Sequence, residues 1–203
     1  MIRADVVQGS QDWFDLKCGV PSASNFDKIV TSTGEVSKQR KAYMYRLVGE
    51  RITKSCEETY QSDAMARGVE LEEEAVKLYE LITDTKCEKV GVTYYDEKKS
   101  FLASPDRLIT GNNKGIIEVK CPNMANHIEY LVNKKLPTKY FQQIQGQLLC
   151  TDAEWCDFIS YYPAIRPLII RVKRDNAFIE TLKTELVRFS VELGELENKL
   201  KEE

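Results

Sequence analysis

The run Gly115-Ile116-Ile117-Glu118-Val119-Lys120 constrains this chain more than any other segment. Ile116, Ile117 and Val119 are β-branched, so the run reads as a buried strand, yet it carries a carboxylate and an ammonium. Side chains alternate faces along a strand, so Glu118 and Lys120 point the same way. A lone buried lysine is costly, which gives that pairing a purpose. Earlier in the chain, Ser104-Pro105-Asp106 sets a second carboxylate beside a proline turn, across an apolar, glycine-containing hairpin. Asp106, Glu118 and Lys120 are thus expected to converge at one sheet edge. Carboxylate oxygens suit a hard divalent cation such as Mg²⁺, and a lysine can position or help deprotonate an attacking water. The pattern points to metal-assisted phosphodiester hydrolysis.

Composition narrows the class. A chain of 203 residues can bury one substantial core, and no linker divides it, so a single domain over 1–203 is expected. No apolar run approaches the roughly 20 residues of a membrane span, and the N-terminus lacks an apolar signal region, which points to a cytoplasmic protein with no membrane partner. The six cysteines (Cys18, Cys56, Cys87, Cys121, Cys150, Cys156) are scattered without a Cys-x-x-Cys pair, and read as reduced, mostly buried thiols rather than zinc or iron–sulfur ligands. Net charge is −3, unusual for a nucleic-acid binder. The charge is uneven, however. Acids concentrate at 57–80 and 192–203, whereas Lys28, Lys38, Arg40, Lys41, Arg46, Arg51, Lys54, Lys134, Lys135 and Lys139 cluster elsewhere. Local potential governs phosphate binding, so the acidity excludes indiscriminate coating of DNA but not an enclosed basic channel.

Periodicity predicts a short helix at 11–17, a second one from Ser22 to Val30 with Ser22 as N-cap, and a basic amphipathic helix over 37–55. Met65, Val69, Leu71, Ala75, Leu78, Tyr79 and Ile82 predict a helix over 63–82. Strands are predicted near 89–95, 101–104, 107–109, 115–120, 155–161 and 167–173, with helices at 124–133 and 138–150 and a long C-terminal helix from 176. Leu182, Leu186, Phe189, Leu193, Leu196 and Leu200 form a heptad-like stripe on that last helix, read first as packing within the chain and second as a subunit contact. The order predicts an α/β fold, a central mixed sheet flanked by helices.

Further residues fit the same chemistry. Glu72 lies on the helix before the strands, among acids (Glu70, Glu73, Glu74) that read as a solvated face. Gln143 and Gln145 sit two apart on a helix, so only one can reach the centre. Trp13, Lys17, Ser22 and Ser24 make a polar and aromatic group near two helix ends, where phosphate can be held. His127, the sole histidine, reads as structural or exposed.

In order, the motifs Gln8-Gly9…Trp13…Leu16-Lys17-x-Gly19-Val20…Ser22-Ala23-Ser24, Ala64-Met65-Ala66-x-Gly68…Glu72, Ser104-Pro105-Asp106, Glu118-x-Lys120-Cys121-Pro122 and Gln143-x-Gln145 cover the chain from Gln8 to about Asp175. In these motifs the chain resembles the lambda exonuclease, or YqaJ-type viral recombinase, family of nucleases, with a restriction-endonuclease-like core and the PD-(D/E)xK motif. The resemblance implies Mg²⁺-dependent (or Mn²⁺-dependent) 5′→3′ degradation of one strand of linear duplex DNA. By position it implies Asp106, Glu118 and the Val119 carbonyl as metal ligands, Glu72 supporting the attacking water, Lys120 orienting it and Gln143 placing the water or the scissile phosphate. Lys17 and Ser24 would hold the terminal 5′-phosphate, with Trp13 and Ser104 also at the DNA end and Met65 as an apolar wedge between base pairs. Where the family's best-known member has arginine this chain has Lys17, a point charge rather than a fork, so its 5′-phosphate preference is expected to be softer. The resemblance also implies a homotrimeric ring around duplex DNA, a single-strand annealing recombinase as partner, and the cytoplasm of a bacterium or phage-infected cell. The alternatives are a related endonuclease or single-strand nuclease, and an inactive module that binds DNA ends.

Overall fold

The computed structural model describes residues 2–56, 63–111 and 114–202. Strand β1 (Ile2–Ala4) is followed by α1 (Gln11–Lys17), a 3-10 turn (Ala23–Lys28), α2 (Arg40–Thr53) and α3 (Asp63–Thr83). Short strands come next: β2 (Cys87–Lys89), β3 (Val92–Tyr94), β4 (Leu102–Ala103), β5 (Arg107–Ile109) and β6 (Gly115–Lys120). Helices α4 (Met124–Asn133) and α5 (Phe141–Thr151), strands β7 (Trp155–Ser160) and β8 (Leu168–Lys173), and helix α6 (Asn176–Glu202) complete the chain.

The main sheet has the order β2-β5-β6-β7-β8, parallel between β6 and β7 and antiparallel elsewhere. This is the expected mixed sheet, but β6 is its central strand, not an edge. Burial on both faces explains why so apolar a strand lies there. Ile117 and Val119 pack against Ala75, Val76 and Tyr79 of α3. Ile116, on the other face, packs against Ile144 and Leu148 of α5 and Ile179 of α6. Alternation therefore sends Glu118 towards α5.

Two expectations need correction. The strand expected over 89–95 is two strands in different sheets, because Val90-Gly91 carries the chain from β2 to β3, in the small sheet β1-β3-β4. A Cβ on Gly91 would lie 2.4 Å from the Ala4 carbonyl oxygen, so only glycine fits this passage beside β1. β1 itself, at three residues, is too short to show a period. The helix expected from Ser22 to Val30 is a six-residue 3-10 turn; Ser22 holds the N-cap position but makes no capping hydrogen bond. Its hydroxyl instead meets Ser24 Oγ at 3.2 Å and accepts from Asn25 Nδ2 at 3.1 Å, a local alternative that competes with helix.

The C-terminal stripe packs within the chain. Leu182, Leu186, Phe189 and Leu193 are fully buried in one cluster with Tyr43, Leu47 and Val48 of α2, Leu196 packs at its rim, and Leu200 is exposed. All six cysteines are free; Cys150 and Cys156 are buried, whereas the other four are only half-buried, fewer than expected. Among the described residues no helix is long and apolar enough to cross a membrane.

Helix α5 approaches the 3-10 turn closely: a Cβ on Gly146 would lie 2.4 Å from the fully buried Phe26 ring. Gly→Ala inside a helix gains about 1 kcal/mol of propensity, whereas overpacking costs about 1–3 kcal/mol. The clash should win. Gly146→Ala is expected to lower unfolding stability, measured by the urea midpoint at unchanged slope.

Candidate active site

The segment before α1 is fastened to the Ser104-Pro105-Asp106 turn. Gln8 Nε2 donates to Ser104 Oγ and to the Pro105 carbonyl, both at 2.9 Å. Trp13 Nε1 donates to Ser104 Oγ at 3.0 Å, and that hydroxyl donates to the Gly91 carbonyl at 2.6 Å. One donation and two acceptances use the full capacity of a serine hydroxyl. Ser104, expected at the DNA end, is thus occupied in joining α1, the Gly91 passage and the Asp106 turn.

Glu118 is 1% exposed at the end of the central strand. Such a carboxylate survives only with donors around it. Lys120 Nζ lies 2.5 Å and Gln143 Nε2 2.6 Å from its Oε1, and Gln147 Nε2 donates to Oε2 at 2.6 Å. Gln143 and Gln147 are one turn apart on α5 and share a face. Gln145 points elsewhere, bonding the Lys173 carbonyl and the Asp175 N–H. The sequence motifs do not single out Gln147, although its i,i+4 spacing from Gln143 is plain in the sequence. Burial pulls the Lys120 pKa down, but Glu118 and Asp106 outweigh it and the net shift is upward. Lys120 is therefore an ammonium here, suited to orienting and not to deprotonating.

Asp106 lies just before β5. The pairing of Arg107 with Ile117 continues to set Asp106 level with Glu118. Its Oδ2 accepts the Val119 N–H at 2.6 Å, and its own N–H donates to the Ile117 carbonyl at 3.2 Å. Burial first, then the charges of Glu118 and Glu72, hold the Asp106 carboxyl well above its usual range. Two crowded carboxylates at one strand end form an all-oxygen donor set that fits a hard divalent cation, which would relieve their repulsion.

Glu72 reaches this region through Arg107, which none of the sequence motifs includes. Arg107 is 4% exposed, and its Nη1 donates to Glu72 Oε1 at 2.7 Å and to the Asp106 carbonyl at 2.6 Å, while Nη2 donates to Glu73 at 2.9 Å. The acids around Glu72 are not simply a solvated face, since Glu73 also pairs with Lys89 and Glu74 accepts from the Tyr161 hydroxyl. An arginine directly after Asp106, at the head of the apolar pair Leu108-Ile109, is the signal that the sequence offers.

Lys17, half-buried at the end of α1, lies over the Trp13 ring with Nζ 3.5 Å from its centroid. Burial lowers its pKa to about 8, against the upward pull of Glu118, Cys56 and Asp106. Among the described residues it has no ion-pair partner. Ser24 is exposed, and Ser22 and Ser24 are linked to each other and to Asn25. The Met65 side chain lies outside the described residues. His127 is fully buried, its Nδ1 2.8 Å from Ser160 Oγ and its Nε2 3.1 Å from the Arg166 carbonyl, a structural role. The basic cluster is smaller than its sequence tally: Arg40 pairs with Glu192, Arg46 with Glu50 and Arg51 with Glu197.

Residues 12–154 match the YqaJ-like viral recombinase domain. The chain belongs to that family. This YqaJ-like chain is similar to an alkaline exonuclease (LHK-Exo) from Laribacter hongkongensis, with 34% identity, 95% of this chain and 97% of that one covered, and a TM-score of 0.86. LHK-Exo has also been solved in complex with dAMP. A phage-related exonuclease from Haemophilus somnus 129PT shares the fold at 18% identity, with 93% and 98% of the two chains covered and a TM-score of 0.68. No curated protein matches the chain.

Removing a buried guanidinium from its acids costs about 3–5 kcal/mol, less where the partners are partly solvated as Glu72 and Glu73 are. Arg107→Ala in this YqaJ-like chain should lose about 2–3 kcal/mol in chemical denaturation. Arg107→Met, which keeps the apolar bulk, should lose less.

Proposed function

We propose that this YqaJ-like chain is a Mg²⁺-dependent exonuclease that degrades one strand of linear duplex DNA from its 5′ end, leaving a 3′ overhang for recombination. The observation that carries this reading is the pair of carboxylates, Asp106 and Glu118, side by side at the end of the central strand with Lys120, Gln143 and Gln147 converging on Glu118. The 34% identity to an alkaline exonuclease over nearly the whole chain supports the reaction class.

Asp106, Glu118 and the Val119 carbonyl would hold the cation, which supplies Lewis-acid polarisation of the scissile phosphate and lowers the pKa of the attacking water. Lys120 orients that water and offsets charge developing on the phosphoryl oxygens. Gln143 supplies an amide that can turn from Glu118 to the water or the phosphate, while Gln147 keeps the second Glu118 oxygen in place. Arg107 fixes Glu72 beside the Asp106 turn, from which Glu72 can accept a proton from the water. Ser104 acts as a positioning residue through Gln8 and Trp13. Lys17, with its ammonium free of any carboxylate among the described residues, receives the terminal 5′-phosphate together with Ser24.

A homotrimeric ring around duplex DNA and a single-strand annealing protein as recipient of the overhang complete the proposal. A monomer in sedimentation under assay conditions would remove the ring.

The deciding experiment uses linear duplexes labelled at one 5′ or one 3′ end, with covalently closed circles alongside. Early release of the 5′ label as mononucleotide with circles intact is expected; nicked circles would make the chain an endonuclease, and early 3′ release would reverse the polarity. Lys120→Ala should reduce kcat by at least about a hundredfold while DNA binding by filter retention persists.

Lys17 predicts a pH signature. With its pKa lowered to about 8, it is charged below that value and neutral above it. The ratio of kcat/KM for 5′-phosphoryl over 5′-hydroxyl ends should therefore be full in mild acid and fall as pH rises through about 8. Lys17→Arg should keep its preference in alkali, because guanidinium does not titrate there. A flat wild-type ratio would take Lys17 out of end recognition.

A further inference from the structure

Cys18 and Cys56 belong to no short-spaced motif, yet the fold joins them. Cys18 follows Lys17 at the end of α1, and Cys56 lies just beyond α2, after Lys54 turns the chain through a left-handed conformation at φ 53°. The two Sγ atoms and a carboxylate oxygen of Glu50 lie within 4.8 Å of one another. Glu50 is 8% exposed and fixed in place: Oε2 accepts the Gly19 N–H at 2.9 Å, and Arg46 Nε lies 3.4 Å from Oε1. Gly19 is itself held, since Arg51 Nε donates to its carbonyl at 2.7 Å and a Cβ there would strike Arg51 Cγ at 2.5 Å. A cavity of about 410 Å³ lined by Arg46, Glu50 and Cys56 among others opens beside the cluster.

We propose that Cys18, Cys56 and Glu50 form a site for one thiophilic divalent cation of the Zn²⁺ type, separate from the carboxylate centre at Asp106 and Glu118. Zn–S and Zn–O distances of about 2.3 and 2.0–2.2 Å place tetrahedral ligand atoms roughly 3.5–3.8 Å apart, within reach of the observed cluster by small side-chain rotations. Water would supply the fourth ligand, for which the cavity beside Glu50 and Cys56 leaves room. The ligands sort the metals: thiolates select Zn²⁺, whereas the all-oxygen centre selects Mg²⁺. A cation there fastens the end of α1, and with it Lys17, to the end of α2.

The test is a Co²⁺ titration of the full chain, reduced and freed of metal, read by the thiolate-to-cobalt charge-transfer absorption. One Co²⁺ per chain should produce that absorption, excess Mg²⁺ should leave it, and Zn²⁺ should bleach it. Cys18→Ser and Cys56→Ser should each lose it, whereas Glu118→Gln, at the carboxylate centre, should retain it. The wild-type spectrum decides even if a serine variant folds poorly. Absence of charge transfer in a wild type with all thiols titratable would overturn the site, as would its persistence in both serine variants. A two-hydrogen mass loss in air with no cobalt absorption would assign the pair to a disulfide instead.

Discussion

The buried carboxylate of Glu118 is the constraint on which the rest of the structure depends. An anion in the middle strand of a sheet, covered on one face by α3 and on the other by α5, has no water to stabilise it. Its three donors come from its own strand and from one face of α5, so the distance between helix and sheet is fixed by hydrogen-bond length at this point. Packing works to the same end: Gly146 lets α5 press on Phe26 while Ile144 and Leu148 fill the sheet face. Apolar and polar requirements meet on a single helix.

Around that fixed point, the other groups are held by backbone rather than by long side chains. Asp106 is pinned by the Val119 and Ile117 peptide groups, so its position follows from the β5–β6 ladder. Arg107 reads the neighbouring carbonyl of Asp106 and carries α3 with it through Glu72 and Glu73. Ser104 gathers Gln8, Trp13 and the Gly91 carbonyl at one oxygen. Ser104, Asp106 and Arg107, flanking Pro105, thus each tie a different element to the same strand end.

Much of this was legible because it was local. The β-branched run with Glu118 and Lys120 gave the strand and their shared side, and helical period gave α1, α3, α4 and α6 closely. What escaped depended on pairing or on distance along the chain. The central place of β6 is a matter of strand order, which alternation does not encode. The split at Gly91 needs β1, whose three residues carry no pattern. Arg107 reads as one charge in a short strand until α3 is laid beside it, and Gln147 was overshadowed by the Gln143-x-Gln145 motif although the i,i+4 rule favours it. The arginines of α2 read as free positive charge because their partners, Glu192 and Glu197, lie at the far end of the sequence.

The central position of β6 also governs how the molecule can loosen. Its amides are paired on both sides, to β5 and to β7, and covered on both faces, so freeing them requires dismantling the sheet. Amide exchange at Ile116 and Ile117 then reports global unfolding, whereas α1, which buries no residue fully and packs only Trp13 and Leu16 on the small sheet, opens at lower cost. The molecule therefore combines a centre that stays rigid until the whole fold fails with a rim that can breathe around it.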